Sequence, residues 1–388
     1  MRPFEAIFVP DEAAEAVSDR AWLDAMLDAE RALANAGAMA GVVPAHHAAM
    51  VAAACVADLY DERELAEQGR AAGNPVEPLV RALKAQVGEE HAEFVHRGAT
   101  SQDVLDTAAM IVARRACDGI EEELDGVASV CARLADAHRE TVMAARTLLQ
   151  QAVPTTFGLK AAGWLVSISD ARRRLGAVAD GLPAQLGGAG GTLAAFGDSG
   201  PELARLYAVE VDLQEPTVPW HSLRTPLRDL AGVLAGAAGA LAKIATDIVL
   251  LAQTEVAEVA EAEGGPSSTM PHKQNPTAAV LARACAHHAQ ANAALLASLA
   301  EHEHERAAGA WHAEWAALSS ALATTGGAAN AVRRSLDSLR VDAERMRANI
   351  SDDTLAEARR LGIDAARPED YLGSTGALVD RALIDRDT

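Results

Sequence analysis

Aromatic residues are scarce, making up 3% of a 388-residue chain in which apolar residues of all kinds reach 50%. Alanine and leucine dominate, and runs rich in Val, Ile and Thr are few. Strands draw on β-branched and aromatic residues, so this shortage argues against a sheet protein and for helices. Helices rich in alanine pack closely, which suits a bundle. With few large side chains the core depends on many small contacts, and association between subunits is an expected further source of burial. Cysteine is also rare: the four residues stand at 55, 117, 131 and 285, with no Cys-x-x-Cys pair, so neither a zinc site nor a disulfide framework is indicated. Positive charge is in deficit, 34 Lys and Arg against 55 Asp and Glu, for a net charge of −21. That sign excludes phosphate-backbone binding and repels small anions at long range, so an anionic substrate requires a local basic island.

Long apolar runs are missing too. The most apolar stretch, Leu230 to Ala242, is rich in Gly and Ala and stops before Lys243 and Asp247, too short to span a bilayer. The start, Met1-Arg2-Pro3-Phe4-Glu5, lacks the apolar core of a signal peptide, and a cytoplasmic protein without membrane contact is expected. His302-Glu303-His304-Glu305 carries metal-ligating residue types, but side chains two apart on a helix diverge and no His-Glu-x-x-His spacing occurs, so no metal is expected. No strand pattern precedes Gly187-Gly188-Ala189-Gly190-Gly191, which therefore reads as a tight connection and not as a nucleotide loop. No cofactor is indicated. His46-His47 and His287-His288 read as surface or packing residues.

What is present is helical punctuation. Ser18-Asp19 starts a helix whose period closes at Gly37, Pro44 opens another, and Gly73-Asn74-Pro75 breaks the chain. Longer helices are expected from Ser101 to near Cys117, from near Gly119 to Arg139, from around Pro154, from Thr225-Pro226 to about Ala262, from Pro276, and from about His312 to Arg340 with a kink at Gly326-Gly327. In the fourth, Ile244, Ile248, Leu251, Val256 and Val259 form an apolar stripe while Glu255, Glu258 and Glu261 fall on another face. Small helices follow at 351–362 and 368–383. The expected fold is all-α with three domains: an N-terminal helical domain at 1–95, a central bundle of long helices at 96–340, and a reduced C-terminal domain at 341–388.

The chemistry concentrates in Gly264-Gly265-Pro266-Ser267-Ser268-Thr269-Met270-Pro271-His272-Lys273-Gln274-Asn275-Pro276. Gly and Pro disfavour helix and strand, so a long loop joins two alanine-rich helices. Loops of this kind on rigid scaffolds commonly carry function. Next to a cation and donor amides the alkoxide of Ser267 is favoured. Lys273 and Asn275 supply that help, or bind negative charge developing on a carboxylate.

Ser267-Ser268-x-Met270-Pro271-x-Lys273-x-Asn275-Pro276 resembles the signature of the fumarase/aspartase superfamily, in which the first serine is catalytic. Phe94-Val95-His96-Arg97-Gly98-Ala99-Thr100-Ser101-Gln102-Asp103 is similar to its first signature. There a glycine bend and Thr-Ser at a helix start present hydroxyls and free N–H groups to a carboxylate. Arg146-Thr147-Leu148-Leu149-Gln150-Gln151-Ala152-Val153-Pro154-Thr155-Thr156-Phe157-Gly158 resembles the second. The likeness runs from about 15 to 350.

Several family branches carry a histidine where Leu148 stands, as a general acid for leaving amines or hydroxide. Leucine donates no proton, so the resemblance implies a leaving group that departs unprotonated, such as a lactone carboxylate. Glu303-His304-Glu305-Arg306, Trp311-His312-Ala313-Glu314-Trp315 and Pro219-Trp220-His221-Ser222 resemble the carboxymuconate cycloisomerase branch. The resemblance thus implies cycloisomerisation of 3-carboxy-cis,cis-muconate in a homotetramer whose sites are shared between subunits. Ser267, Lys273, Asn275 and His96 are the implied catalytic residues. Thr100, Ser101, Thr147, Gln150, Gln151, Arg306, Arg224 and Arg97 are the implied contacts to a small polycarboxylate. Some carboxymuconate enzymes have histidine in place of Gln151, and position 97 is often aromatic. Whether Arg97 binds a third carboxylate or is solvated stays open. A lyase expelling ammonia or nitrite from a substituted succinate, and a catalytically dead structural protein on the same fold, are the alternatives.

Overall fold

The computed structural model describes residues 4–386 apart from 263, 267–269 and 271–272. Ser18 caps helix α1 (Asp19–Met39) by accepting from the Ala21 amide at 3.1 Å. Gly37 lies inside that helix, not at its end, which comes at Met39. Helices α2 (Ala45–Ala54), α3 (Glu62–Ala72) and α4 (Val76–Val87) complete the N-terminal part. Gly73 ends α3 in the left-handed conformation. Asn74 accepts from the amides of Val76 and Glu77, so it is a turn residue.

Helix α5 (Ser101–Ala137) is one helix, not the expected pair meeting near Gly119. A mid-helix glycine costs about 1 kcal/mol. The buried stripe of Met110, Cys117, Ile120, Leu124, Val127 and Cys131 on either side of it outweighs that cost. After α5 comes a hairpin that the sequence reading missed, β1 (Val142–Thr147) paired antiparallel with β2 (Gln150–Thr156). Pro154 therefore sits in a strand, and α6 (Phe157–Asp180) starts later, capped by Thr156. Then follow α7 (Gly200–Glu210), α8 (Thr225–Leu251), the short strands β3 (Val259–Glu261), β4 (Gly265–Pro266) and β5 (Gln274–Asn275), α9 (Thr277–Ser298), α10 (Ala310–Asp337), β6 (Leu339–Val341) and α11 (Thr375–Arg386). Strand β3 pairs with β6 and β4 with β5. The fold is all-α apart from these two-stranded pieces.

Helix α8 ends about ten residues earlier than expected, and the glutamates beyond it explain why. Glu258 is buried against Arg146, and Glu261 is buried at the start of α9. Glu261 accepts from the amides of Ala278 and Ala279 at 3.0 and 2.9 Å and from Ser335 at 2.6 Å. It thus satisfies N–H groups that a helix start leaves unpaired. These side chains face inward, not along the exposed face of a longer helix. Helix α10 is continuous through Gly326-Gly327, where a kink was expected.

The buried apolar residues form two clusters. One spans α1, α2, α4, α7 and the first turns of α5; the other runs along α5, α6, α8, α9 and α10. These five helices pack side by side, and α11 packs on α6. Helix α8 is long and apolar enough to cross a membrane. Its Leu230, Leu234, Leu241, Ile244 and Ile248 are buried in the bundle, which accounts for its composition.

Candidate active site

The first signature is built around one carboxylate. Thr100 caps α5 in a reciprocal box with Asp103. Asp103 is buried and accepts from the amides of Thr100, Gly187 and Gly188, each at 2.9 Å, and its Oδ1 lies 2.7 Å from His221 Nε2. The glycine-rich turn is therefore strapped to the Thr100 loop. Gly98 and Gly188 have φ near +70° to +80°, at +76° and +71°. A Cβ on Gly188 would lie 2.8 Å from the Gly98 carbonyl oxygen, so both positions require glycine.

Gln102 extends the network, donating to Asp106 and to the His221 carbonyl. Its Oε1 accepts from Arg306 Nε at 3.1 Å, and Arg306 Nη2 reaches the Ala189 carbonyl at 3.3 Å. Arg306 is exposed beside this loop with donors to spare. Arg97 is exposed as well, its guanidinium 5.3 Å above the Phe94 ring. His96 holds its backbone at φ +58° and points Nδ1 at the buried Glu30, 2.5 Å away.

Arg224 does not stand ready for a substrate, contrary to expectation. It is buried and donates to Asp106 at 2.7 and 3.0 Å and to Glu314 at 3.0 and 2.6 Å. Two carboxylates already take up its bidentate edges. Burial pushes the Glu314 carboxyl up to about 7, although Arg224 pulls the other way. His302 Nε2 lies 3.2 Å from the same carboxylate, and burial holds that imidazole below its ordinary value. Trp311 Nε1 donates to Asp106. Of the Glu303–Trp315 tract, matched by sequence to the site, Trp311 and Glu314 belong to a buried charge network beneath it, while Glu303 to Arg306 and His312 are exposed.

The second signature forms the hairpin tip. Thr147 and Gln150 are opposite partners in the ladder and both exposed. Leu148 and Leu149 cap the hairpin at φ +50° and +64°, 98% and 73% exposed. The base is pinned elsewhere. Arg146 grips Glu258 through two contacts at 2.9 and 2.5 Å, and Asn349 donates to the same glutamate. Gln151 donates to the Asn349 carbonyl at 2.8 Å and accepts from the Ser351 amide at 3.0 Å. Its amide is turned toward the C-terminal segment and not toward the tip.

Of the third signature, Ser267 lies outside the described residues. Asn275 Nδ2 donates to the Gly265 carbonyl at 3.3 Å, closing the neck of the loop, and Lys273 is exposed. Sequence reasoning missed Glu30, Asp103 and Glu261. Each is an acid aimed at partners far along the chain, and only the Thr100-to-Asp103 spacing carried a local signal.

Geometry separates these parts within one subunit. The first signature sits at the start of α5 and the second just past its end. A helix of 37 residues is about 55 Å long. Among the described residues no hydrogen bond or ion pair joins the Thr100 loop to the hairpin tip or to Lys273. The Arg146–Glu258 pair places the hairpin beside β3, at the end of α8 from which the third signature departs.

A family model described as lyase matches residues 9–290, and the chain belongs to this family, the fumarase/aspartase superfamily. Among its relatives is the nitrosuccinate lyase of Streptomyces davaonensis, 50% identical over 355 residues, covering 88% of this chain and 74% of the relative. The 3-carboxy-cis,cis-muconate cycloisomerase of Bradyrhizobium diazoefficiens is 46% identical over 342 residues, covering 86% and 76%. The crystal structure of the 3-carboxy-cis,cis-muconate lactonizing enzyme from Pseudomonas putida superposes with a TM-score of 0.93 at 36% identity, covering 100% of this chain and 99% of that one.

Proposed function

We propose that this enzyme interconverts 3-carboxy-cis,cis-muconate and a carboxymuconolactone. The observation that carries the reading is Leu148 at the exposed hairpin tip, a side chain with no proton to give. In the lactonising direction one substrate carboxylate oxygen bonds to an alkene carbon. Charge passes to a neighbouring carboxylate as an enediolate, and the carbon between is protonated. In reverse the proton leaves carbon and the C–O bond breaks. The departing carboxylate is stable without a proton near neutral pH, so no general acid is needed. Ser267 carries the proton at carbon. Lys273 and Asn275, with the Thr100 and Ser101 hydroxyls and the free amides at the start of α5, stabilise the enediolate. Arg306 holds a second carboxylate, and Arg97 is the remaining cation for a third. Arg224, committed to Asp106 and Glu314, is withdrawn from this role.

The length of α5 supports a site shared between subunits, because the Thr100 loop of one copy needs the hairpin and Ser267 loop of others. A homotetramer built through the long helices meets that need. Small polycarboxylates are the substrates this set suits, and acting close together its cations offset the repulsion of an acidic protein.

A second reading is nitrite elimination from nitrosuccinate, favoured by the 50% identity to a nitrosuccinate lyase. Nitrite also departs unprotonated, so Leu148 admits it. Two assays separate them. Loss of the ultraviolet diene band of carboxymuconate reports the first reaction, and colorimetric nitrite release with formation of fumarate reports the second. Ser267→Ala is expected to abolish whichever is present. Turnover of carboxymuconate by Ser267→Ala at the wild-type rate would remove the serine from the mechanism, and nitrite release without diene loss would replace the first reading by the second.

A further inference from the structure

One buried acid beside the first signature has no place in the mechanism above. Glu30 lies on α1, its side chain fully enclosed in the N-terminal core, with Oε1 2.5 Å from His96 Nδ1. Its other oxygen, Oε2, has no hydrogen-bond partner among the described residues. A carboxylate buried this deeply costs several kcal/mol unless an opposite charge compensates it. His96 is the compensating group in contact. The histidine is held in turn: its backbone occupies the left-handed region at φ +58°, where side-chain-bearing residues are strained, and such strain gathers at functional sites. With Nδ1 committed to Glu30, the ring has only Nε2 to offer. Its side chain keeps 16% of its surface open, four residues before Thr100, and among the described residues Nε2 takes no hydrogen bond.

We propose that Glu30 is a positioning residue that fixes His96 as an imidazolium, oriented so that its Nε2–H binds a substrate carboxylate beside Thr100 and Ser101. This rests on reading the Thr100 loop as a carboxylate site, though not on which carboxylate reaction follows. The charged groups facing the ring are Glu30 from α1, Asp103 from α5 and Lys84 from α4. Burial pulls the imidazole down, but Glu30 by charge and hydrogen bond, helped by Asp103, more than offsets burial and the repulsion of Lys84, and the net shift is upward. A raised value keeps the cation to higher pH than an ordinary imidazole would, and the charge is lost as pH rises past it. Glu30 therefore adds one cation to a site that the rest of this acidic chain opposes, without touching the substrate.

The test reads His96 directly. Ring signals of 15N-labelled histidine, assigned with His96→Gln, are titrated in the wild type, in Glu30→Gln, and in Glu30→Asp, which keeps the charge but shortens the reach. Glu30→Gln is expected to lower the His96 pKa by at least about one unit, a tenfold loss of imidazolium above that pH, with Glu30→Asp falling less. Tricarballylate is then added as a probe. It should shift the His96 signal in the wild type and bind about tenfold more weakly to Glu30→Gln at pH 7.5. In kinetics on the active substrate, Glu30→Gln should raise KM by a similar factor with kcat within about threefold, and Glu30→Gln/His96→Gln should bind no worse than His96→Gln alone. An unchanged His96 titration in Glu30→Gln overturns the proposal, as does a His96 signal indifferent to tricarballylate. Absence of turnover on carboxymuconate and nitrosuccinate, with the titration and probe results as expected, would sink the function proposed above and leave this inference standing.

Discussion

Arg224 Nη2 stands 2.6 Å from Glu314 Oε2 while the other edge of the same guanidinium grips Asp106, all three side chains being buried. An arginine so placed is internal structure. Arg224→Met leaves two buried carboxylates without their cation and is expected to destabilise the fold by about 3–5 kcal/mol. Urea unfolding checks this. A variant of normal stability with a raised KM would instead return Arg224 to the substrate.

Glu314 gives the network a pH dependence of defined sign. Its ordinary value is 4.5 and burial raises it to about 7 in the fold. Between those values the folded chain holds a proton that the unfolded chain has released. Folding therefore takes up a proton, and this group's contribution to stability falls as pH rises through the window. Glu314→Gln has no such proton, so the difference in melting temperature between it and the wild type should change steadily from pH 4.5 to 7, in favour of the variant at the higher pH. A constant difference across that window would place the raised value elsewhere.

The hairpin tip carries backbone strain at Leu148 and Leu149. A two-residue hairpin turn with both φ positive selects Asn-Gly, and an ordinary side chain there costs about 1–2 kcal/mol. Leu148→Asn/Leu149→Gly is expected to stabilise the folded subunit by about 1–2 kcal/mol and to lower kcat/KM. Calorimetry and turnover measured together decide it. Full activity in the stabilised variant would make the leucines dispensable, while an unprotonated leaving group would stand, because neither asparagine nor glycine is a general acid.

Gln151 latches the C-terminal segment to the base of the hairpin through the Asn349 carbonyl and the Ser351 amide. Gln151→Ala loses both bonds at a cost of about 1–2 kcal/mol. Hydrogen exchange should accelerate at residues 349–355 and stay unchanged in α5 and α8. A variant with wild-type exchange there but a large rise in KM would assign the amide to the substrate.

The cysteines are predicted to be inert. All four are buried and free, and burial pushes the thiols of Cys117 and Cys131 up to about 12. The thiolate is the reactive form. A disulfide reagent at pH 8 should find none of them in the native protein and all of them in denaturant.

Much of the fold was legible because its signals are local. Ser18, Thr100 and the Gly73 stop act on neighbours within a few residues, and the structure keeps each one. Gly119 misled because its local cost is small beside the packing of a stripe that runs past it. The hairpin at Val142–Thr156 was missed because its turn is Leu-Leu, and nothing in that pair announces a left-handed backbone.

The sequence alone determined helices over strands, an acidic surface, and three family motifs in order, since these depend on composition and short spacing. Tertiary structure decided which charges are spent and which are open. Arg224 looks free in the sequence and is taken by partners 90 and 118 residues away. Arg306 is left outward, and Glu30 reaches His96 across 66 residues. An ion pair is chosen by proximity in space and by burial, and neither is written within the reach of a motif.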